Sequence, residues 1–164
     1  MDSTSISQLK NLLSQLEPGY LPEPIFLEFT RLLVTPIIEL VPLRKTSAGE
    51  IEVLLCRRPS SDQHWPDMLH TPGTVLRATE DDGLDQALSR AFEEIHREFK
   101  KYEVKKSGVI FHAVKRGKEL AIIFSTIIQD VQEQDIWMPL SQIEKQVVDT
   151  QVNFITEAAK VAFR

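Results

Sequence analysis

The spacing of apolar positions changes character along the chain. Ile6, Leu9, Leu12, Leu13 and Leu16 keep helical spacing and predict an amphipathic helix, with Ser3 or Ser5 as its cap and Pro18-Gly19 as its end. Pro22 and Pro24 precede a second helical stripe of Ile25, Phe26, Phe29, Leu32 and Leu33. Residues 1–34 therefore read as an N-terminal helical extension, and residues 35–164 as a domain of another kind. Within that domain, stretches 37–43 and 50–56 predict strands separated by a turn at 46–49. A polar loop covers 60–67, and Pro72-Gly73-Thr74-Val75 reads as a turn beside a short extended piece.

Leu84, Ala87, Leu88, Ala91, Phe92, Ile95 and Phe99 return to helical spacing and predict a helix over about residues 82–101. Stretches 108–114 and 119–128 predict a hairpin, and a short helix near 141–145 and a longer one over 150–163 follow. The order does not alternate as strand-helix-strand, so an α+β mixed-sheet layer fold is expected.

Composition narrows the field. The chain has 164 residues, 42% of them hydrophobic, which suits one folded domain and excludes wholesale disorder. Cys56 is the single cysteine, which excludes a disulfide scaffold. No apolar run approaches a membrane span, and the Met1-Asp2-Ser3-Thr4 start is unlike a signal peptide, so a cytoplasmic protein without membrane association is expected. Residues 96–118 hold eight Lys/Arg and two Glu, yet the net charge is −5, which makes nucleic acid an unlikely partner.

The candidate chemistry lies between residues 57 and 98. Pro72-Gly73 is followed by Thr74-Val75-Leu76-Arg77-Ala78-Thr79-Glu80, and the next predicted helix carries Arg90, Phe92 and Glu94. This stretch resembles the signature of the Nudix hydrolases, G-x5-E-x7-R-E-U-x-E-E-x-G-U, usually led by Pro-Gly. Glu80, Arg90, Phe92 and Glu94 match it once two extra residues are allowed after Glu80; Thr74 stands in place of the glycine, Ala91 and Ile95 in place of two glutamates, and the x-Gly-U ending is absent.

The resemblance covers roughly residues 36–164 and implies a Nudix-like mixed β-sheet sandwiched between helices. It also implies a hydrolase of nucleoside diphosphates linked to another moiety, dependent on Mg²⁺ or Mn²⁺ if active. At about 100° per residue, Ala91, Glu94, Ile95 and Glu98 share one helical sector. Glu98, one turn past Glu94, is placed to replace a lost ligand. Glu94 and Glu98 are the candidate catalytic carboxylates, and Glu80, Glu94 and Glu98 the candidate metal ligands. Arg57, Arg58, Trp65, Gly73 and Arg90 are the candidate contacts for a nucleotide-like substrate.

Two other readings stay open beside hydrolysis. One is a non-catalytic Nudix-fold module that binds a nucleotide-like ligand or a protein; the other is dimerisation through the N-terminal helices. Trp137 is a second candidate for stacking a base. His64, His70, His96 and His112 have no ligand-spaced partner in sequence, so no zinc site is expected, and His70 reads as a loop histidine bonded to backbone. Cys56 reads as a buried small apolar residue.

Overall fold

The structure is a computed structural model that describes residues 1–80 and 83–164. These form α1 (Ser3–Leu13), α2 (Glu23–Leu32), β1 (Val34–Lys45), β2 (Ile51–Arg57), β3 (Leu69–His70), β4 (Gly73–Val75), α3 (Asp85–Glu94), β5 (Val104–Val114), β6 (Gly117–Ile127), β7 (Ile136–Pro139) and α4 (Asp149–Ala162). Three-ten turns lie at Phe99–Lys101 and Leu140–Lys145, the second where a short helix was expected.

The mixed sheet runs β3-β2-β1-β6-β5, with β4 added beside β1 and β7 beside β2. β1 and β6 are parallel over ten residue pairs, and β5 and β6 form the expected hairpin. β1 is longer than the apolar run implied, because it continues through Pro36 and Pro42. Leu76 N–H donates to the Pro36 carbonyl and Leu40 N–H to that of Pro72, so even-numbered backbone groups of β1 face β4 and β2. Pro42 falls between those two partners, where its missing donor costs no ladder bond.

Alternation along β1 and β2 sends side chains to two cores. Ile37, Val41, Leu43, Val53 and Leu55 pack with Phe154, Ile155 and Ala158 of α4. Ile38, Leu40 and Leu54 pack with Ala87, Leu88, Ala91 and Phe92 of α3. The sheet is thus held between helices, an α+β fold of the kind the resemblance implied.

α3 is shorter than its apolar periodicity suggested. Asp82, where the expected helix began, lies outside the described residues, and the helix ends at Glu94. Arg97 N–H bonds back to the Phe92 carbonyl and His96 N–H to that of Glu93, while His96 takes a left-handed φ of 55°. That is a Schellman stop, made here by a non-glycine residue. The turn drives Arg97 inward, not outward as a solvated charge. It pairs with Asp135 at 2.7 Å and donates to the carbonyls of Ile95 and Asp130.

The N-terminal residues behave in two ways. α1 is capped by the Asp2 carboxylate, which accepts Ser5 N–H at 2.8 Å, rather than by a serine. Its Ile6, Leu9, Leu12 and Leu13 are exposed. α2 instead meets the β5–β6 turn, where Thr30 Oγ1 donates to the Arg116 carbonyl at 2.9 Å. Gly117, at φ 151°, allows that approach, because a Cβ there would strike the Thr30 carbonyl.

Candidate functional site

A cavity of about 490 Å³ opens where β1, β2, β4 and the end of α3 converge. Its floor follows from one register. β4 pairs antiparallel with β1, setting Gly73 opposite Glu39. A Cβ on Gly73 would come within 2.9 Å of the Glu39 carboxylate and the Ile38 carbonyl, so only glycine fits this approach. Gly73 N–H then donates to Glu94 Oε2 at 3.0 Å, fixing the last residue of α3 against the turn.

Glu39 points to the α4 side and is buried. Thr71 Oγ1 lies 2.6 Å from its Oε2, and Gln151 Nε2 donates to both carboxyl oxygens at 3.3 Å. Burial pushes its pKa up to about 8; the Thr71 contact works against that, and the charges of Glu119 and Glu94 add to it. The group is therefore largely a neutral acid at neutral pH. Glu94 is also raised, by burial first, against the pull of Gly73 N–H and Arg58.

His70 Nδ1 lies 2.8 Å from the Thr71 carbonyl, which only accepts, so the ring proton sits there. This is the backbone-bonded loop histidine expected from sequence. Burial, then the Arg58 charge, holds its pKa down at about 4, and the imidazole is neutral at neutral pH. Its Nε2 faces Glu94 Oε1 at 3.4 Å.

The positive side of the cavity is made by Arg57, Arg58 and Arg116. Arg57 is tethered to the Asp67 carbonyl at 2.9 Å and Arg58 to Asp62 at 2.7 Å. Arg58 Nε is buried without a hydrogen-bond partner among the described residues. Arg116 is held by Glu119 at 2.6 Å. Three anchored guanidinium groups suit an anion with several oxygens.

Of the residues singled out from sequence, Arg57, Arg58, Gly73 and Glu94 come together here, whereas Glu80, Arg90, Glu98 and both tryptophans do not line the cavity. Arg90 forms an ion pair with Glu80 and donates to the Val75 carbonyl at 2.9 Å, while Glu80 accepts Arg77 N–H at 2.8 Å. This pair fastens the loop to α3, and neither side chain lines the cavity. Glu98 lies beyond the Schellman stop, 62% exposed and paired with Lys101, so it shares no helical sector with Glu94.

Trp65 is 6% exposed and packs under the cations of Arg58, Lys115 and Arg116, with ring distances of 5.2–5.9 Å. It braces the arginines from outside the cavity lining. Trp137 is likewise engaged, beneath the Arg44 guanidinium at 4.1 Å. Glu39, Thr71, Arg116 and Gln151 were not anticipated. A carboxylate inside the Ile37-Ile38-Glu39-Leu40-Val41 run was the one sequence signal for Glu39.

The donor set does not suit Mg²⁺ or Mn²⁺ held by several glutamates. Ala91 and Ile95 are in the α3 core, Glu39 is committed to Thr71 and Gln151, and Glu94 is the α3 carboxylate at the cavity among the described residues. Such ions require hard oxygen ligands, whereas the atoms nearest Glu94 include an imidazole and a thiol.

A second groove, about 860 Å³, lies between α2 and β4 and is lined by Tyr20, Phe26, Phe29, Leu33 and Leu76 among others. It shares Thr74, Val75 and Arg116 with the first cavity. An apolar compartment thus adjoins the cationic one.

No family model matches the sequence, and no curated protein does. Solved structures do match. The NUDIX domain of Shewanella oneidensis NrtR, crystallised with ADP ribose, is 16% identical with a TM-score of 0.63, over 87% of this chain and 99% of that one. In the longer NrtR chain the match, 16% identical with a TM-score of 0.63, covers 77% of this chain and spans 62% of the other. An Ap4A hydrolase from C. elegans is 20% identical with a TM-score of 0.60, over 79% and 98% of the two chains. The Nudix hydrolase RenU from M. smegmatis is 16% identical with a TM-score of 0.57, over 77% and 85%. The chain has a Nudix fold.

Proposed function

We propose that this protein binds the phosphate end of a nucleotide-like small molecule in the arginine-lined cavity, with metal-dependent pyrophosphohydrolase activity weak or lost. The observation that carries the reading is the combination of three guanidinium groups with one α3 carboxylate at the cavity among the described residues, Glu94, already bonded to Gly73 N–H. The first supplies anion recognition, and the second is too few ligands for a cation cluster bridging a diphosphate. The apolar groove beyond Arg116 would take the base or another hydrophobic moiety of the same ligand. The ADP-ribose complex of the NrtR domain supports the ligand class.

The chemistry follows from these side chains. Arg57, Arg58 and Arg116 neutralise and orient the phosphates, and Gly73 leaves room for the backbone at the cavity floor. Hydrolysis would further need a water activated beside Glu94 and a cation to neutralise the scissile diphosphate. An active hydrolase is therefore the second reading, kept by the match of Glu94 to the signature position.

A panel of nucleoside-diphosphate sugars, ADP-ribose, dinucleotides and nucleoside triphosphates with Mg²⁺ or Mn²⁺ tests the choice. Product formation well below about 1 s⁻¹ is expected. Turnover at ordinary enzyme rates that Glu94→Gln abolishes would favour the hydrolase.

Residues 1–34 are read as an extension that closes the apolar groove through α2 and offers α1 for self-association. The exposed stripe of Ile6, Leu9, Leu12 and Leu13 favours that part of the reading. A hydrodynamic mass of two chains, falling to one when Leu9 and Leu12 are changed to Glu, is the expected result; one chain in the wild type would remove it. No helix among the described residues is long and apolar enough to cross a membrane. A cytoplasmic location is part of the proposal, consistent with a single free thiol.

A further inference from the structure

We propose that Cys56, His70 and Glu94 form a three-ligand site for a zinc-class divalent cation. The three come from separate parts of the chain. Cys56 lies near the end of β2, His70 is its register partner on β3, and Glu94 ends α3. Their ligand atoms all lie within 4.8 Å of one another. Metal–donor bonds of about 2.0–2.3 Å put neighbouring donors roughly 3.3–3.8 Å apart, so a small contraction seats the ion.

The supporting bonds are already made. His70 donates its Nδ1 proton to the Thr71 carbonyl, which leaves the Nε2 lone pair facing the cluster. Glu94 has one oxygen held by Gly73 N–H and the other free toward that lone pair. Ligands whose far side is hydrogen-bonded to backbone are what metal sites use to orient imidazole and carboxylate. His70 Nε2 and Glu94 Oε1 then face each other at 3.4 Å, a pairing that either a proton or a bound cation between them satisfies.

Thiol, imidazole and carboxylate are a borderline-soft set, which fits Zn²⁺ and disfavours Mg²⁺. On binding, the Cys56 thiol gives its proton to solvent as the sulfur–metal bond forms, so charge and atoms balance. His70 and Glu94 also line the cavity, so the fourth coordination position opens onto it.

The test uses the reduced, full-length chain, without any phosphate ligand, so its outcome is separate from the anion-binding reading. Titration with Co²⁺ should give a one-to-one complex with a thiolate-to-cobalt charge-transfer band, displaced by Zn²⁺. Because the chain has one cysteine, that band reports on Cys56 alone. The band should vanish in Cys56→Ser, and affinity should fall about tenfold or more in both His70→Asn and Glu94→Gln. Mg²⁺ should leave the melting temperature unchanged where Zn²⁺ raises it. Absence of the band in folded wild-type protein would overturn the site and leave a proton shared between His70 and Glu94. Persistence of the band at full affinity in both His70→Asn and Glu94→Gln would also overturn it. Should Cys56→Ser fail to fold, the other two variants decide.

Discussion

Arg97→Ala is expected to lower the unfolding free energy by about 3–5 kcal/mol, since it strips one partner from a buried ion pair. Both side chains are almost fully enclosed, at 1% exposure for Arg97 and 3% for Asp135. Arg97 also lies 3.0 Å from Asp130 through Nε, a contact that pairs charge without hydrogen-bond alignment. Removing it leaves Asp135 without its buried cation, with only Gln132 N–H and Trp137 Nε1–H still donating to it, and strips Arg97's bonds from the carbonyls of Ile95 and Asp130, which hold the segment after α3 against the loop before β7. Burial works to raise Asp135; the hydrogen bond from Arg97, then those from Gln132 and Trp137, overcome it and hold the carboxyl below its usual range. The pair's contribution is thus present above about pH 4 and is lost as pH falls through the lower folded value. Urea denaturation of wild type and variant at neutral pH measures the loss. A change below about 1 kcal/mol would show that the network is solvated and of little weight.

Glu39→Gln should make the protein more stable at pH 8 and flatten its stability profile. The folded acid titrates at about 8 against 4.5 for the free group. Folding therefore favours the protonated form. That contribution is complete below about pH 4.5 and disappears as pH rises through about 8. At about 1.36 kcal/mol per pH unit of difference, the loss across this window is on the order of a few kcal/mol. An amide stays neutral throughout, donating to Thr71 and accepting from Gln151 in place of the acid. Melting curves between pH 5 and about 9 check it: the wild-type temperature should fall with pH and the variant's should not. Equal slopes would mean that Glu39 is ionised in the folded protein.

Much of the layer arrangement was legible because each strand of the central pair buries both faces and α3 and α4 bury one. The limits came from particular residues. Phe99 fits the spacing of α3, yet the helix stops five residues earlier, since His96 adopts a conformation usually left to glycine or asparagine. Periodicity sees only side-chain hydrophobicity and cannot register a backbone stop of that kind. For the same reason Glu98 was placed one turn beyond Glu94, whereas it faces solvent.

The site was half visible. Gly73 and Glu94 stood at recognisable signature positions, and Arg57 and Arg58 at a strand end. Glu80 and Arg90 also match the signature, but here they are spent on each other. Arg116 and Gln151 reach the cavity from the hairpin turn and α4, separations that no local spacing encodes. The Cys56–His70–Glu94 cluster is of the same sort: its members are far apart in sequence and meet only through β2–β3 pairing and the end of α3.

The proposed cavity binds its anion without a glutamate-held magnesium cluster. Calorimetric titration of ADP-ribose in the presence of a chelator, with wild type, Arg58→Ala and Arg116→Ala, addresses it most directly. Saturable one-to-one binding by the wild type, weakened at least about tenfold (roughly 1.4 kcal/mol) by either variant, is the predicted result. Binding that appears only when Mg²⁺ is restored, or that survives both variants unchanged, would contradict it.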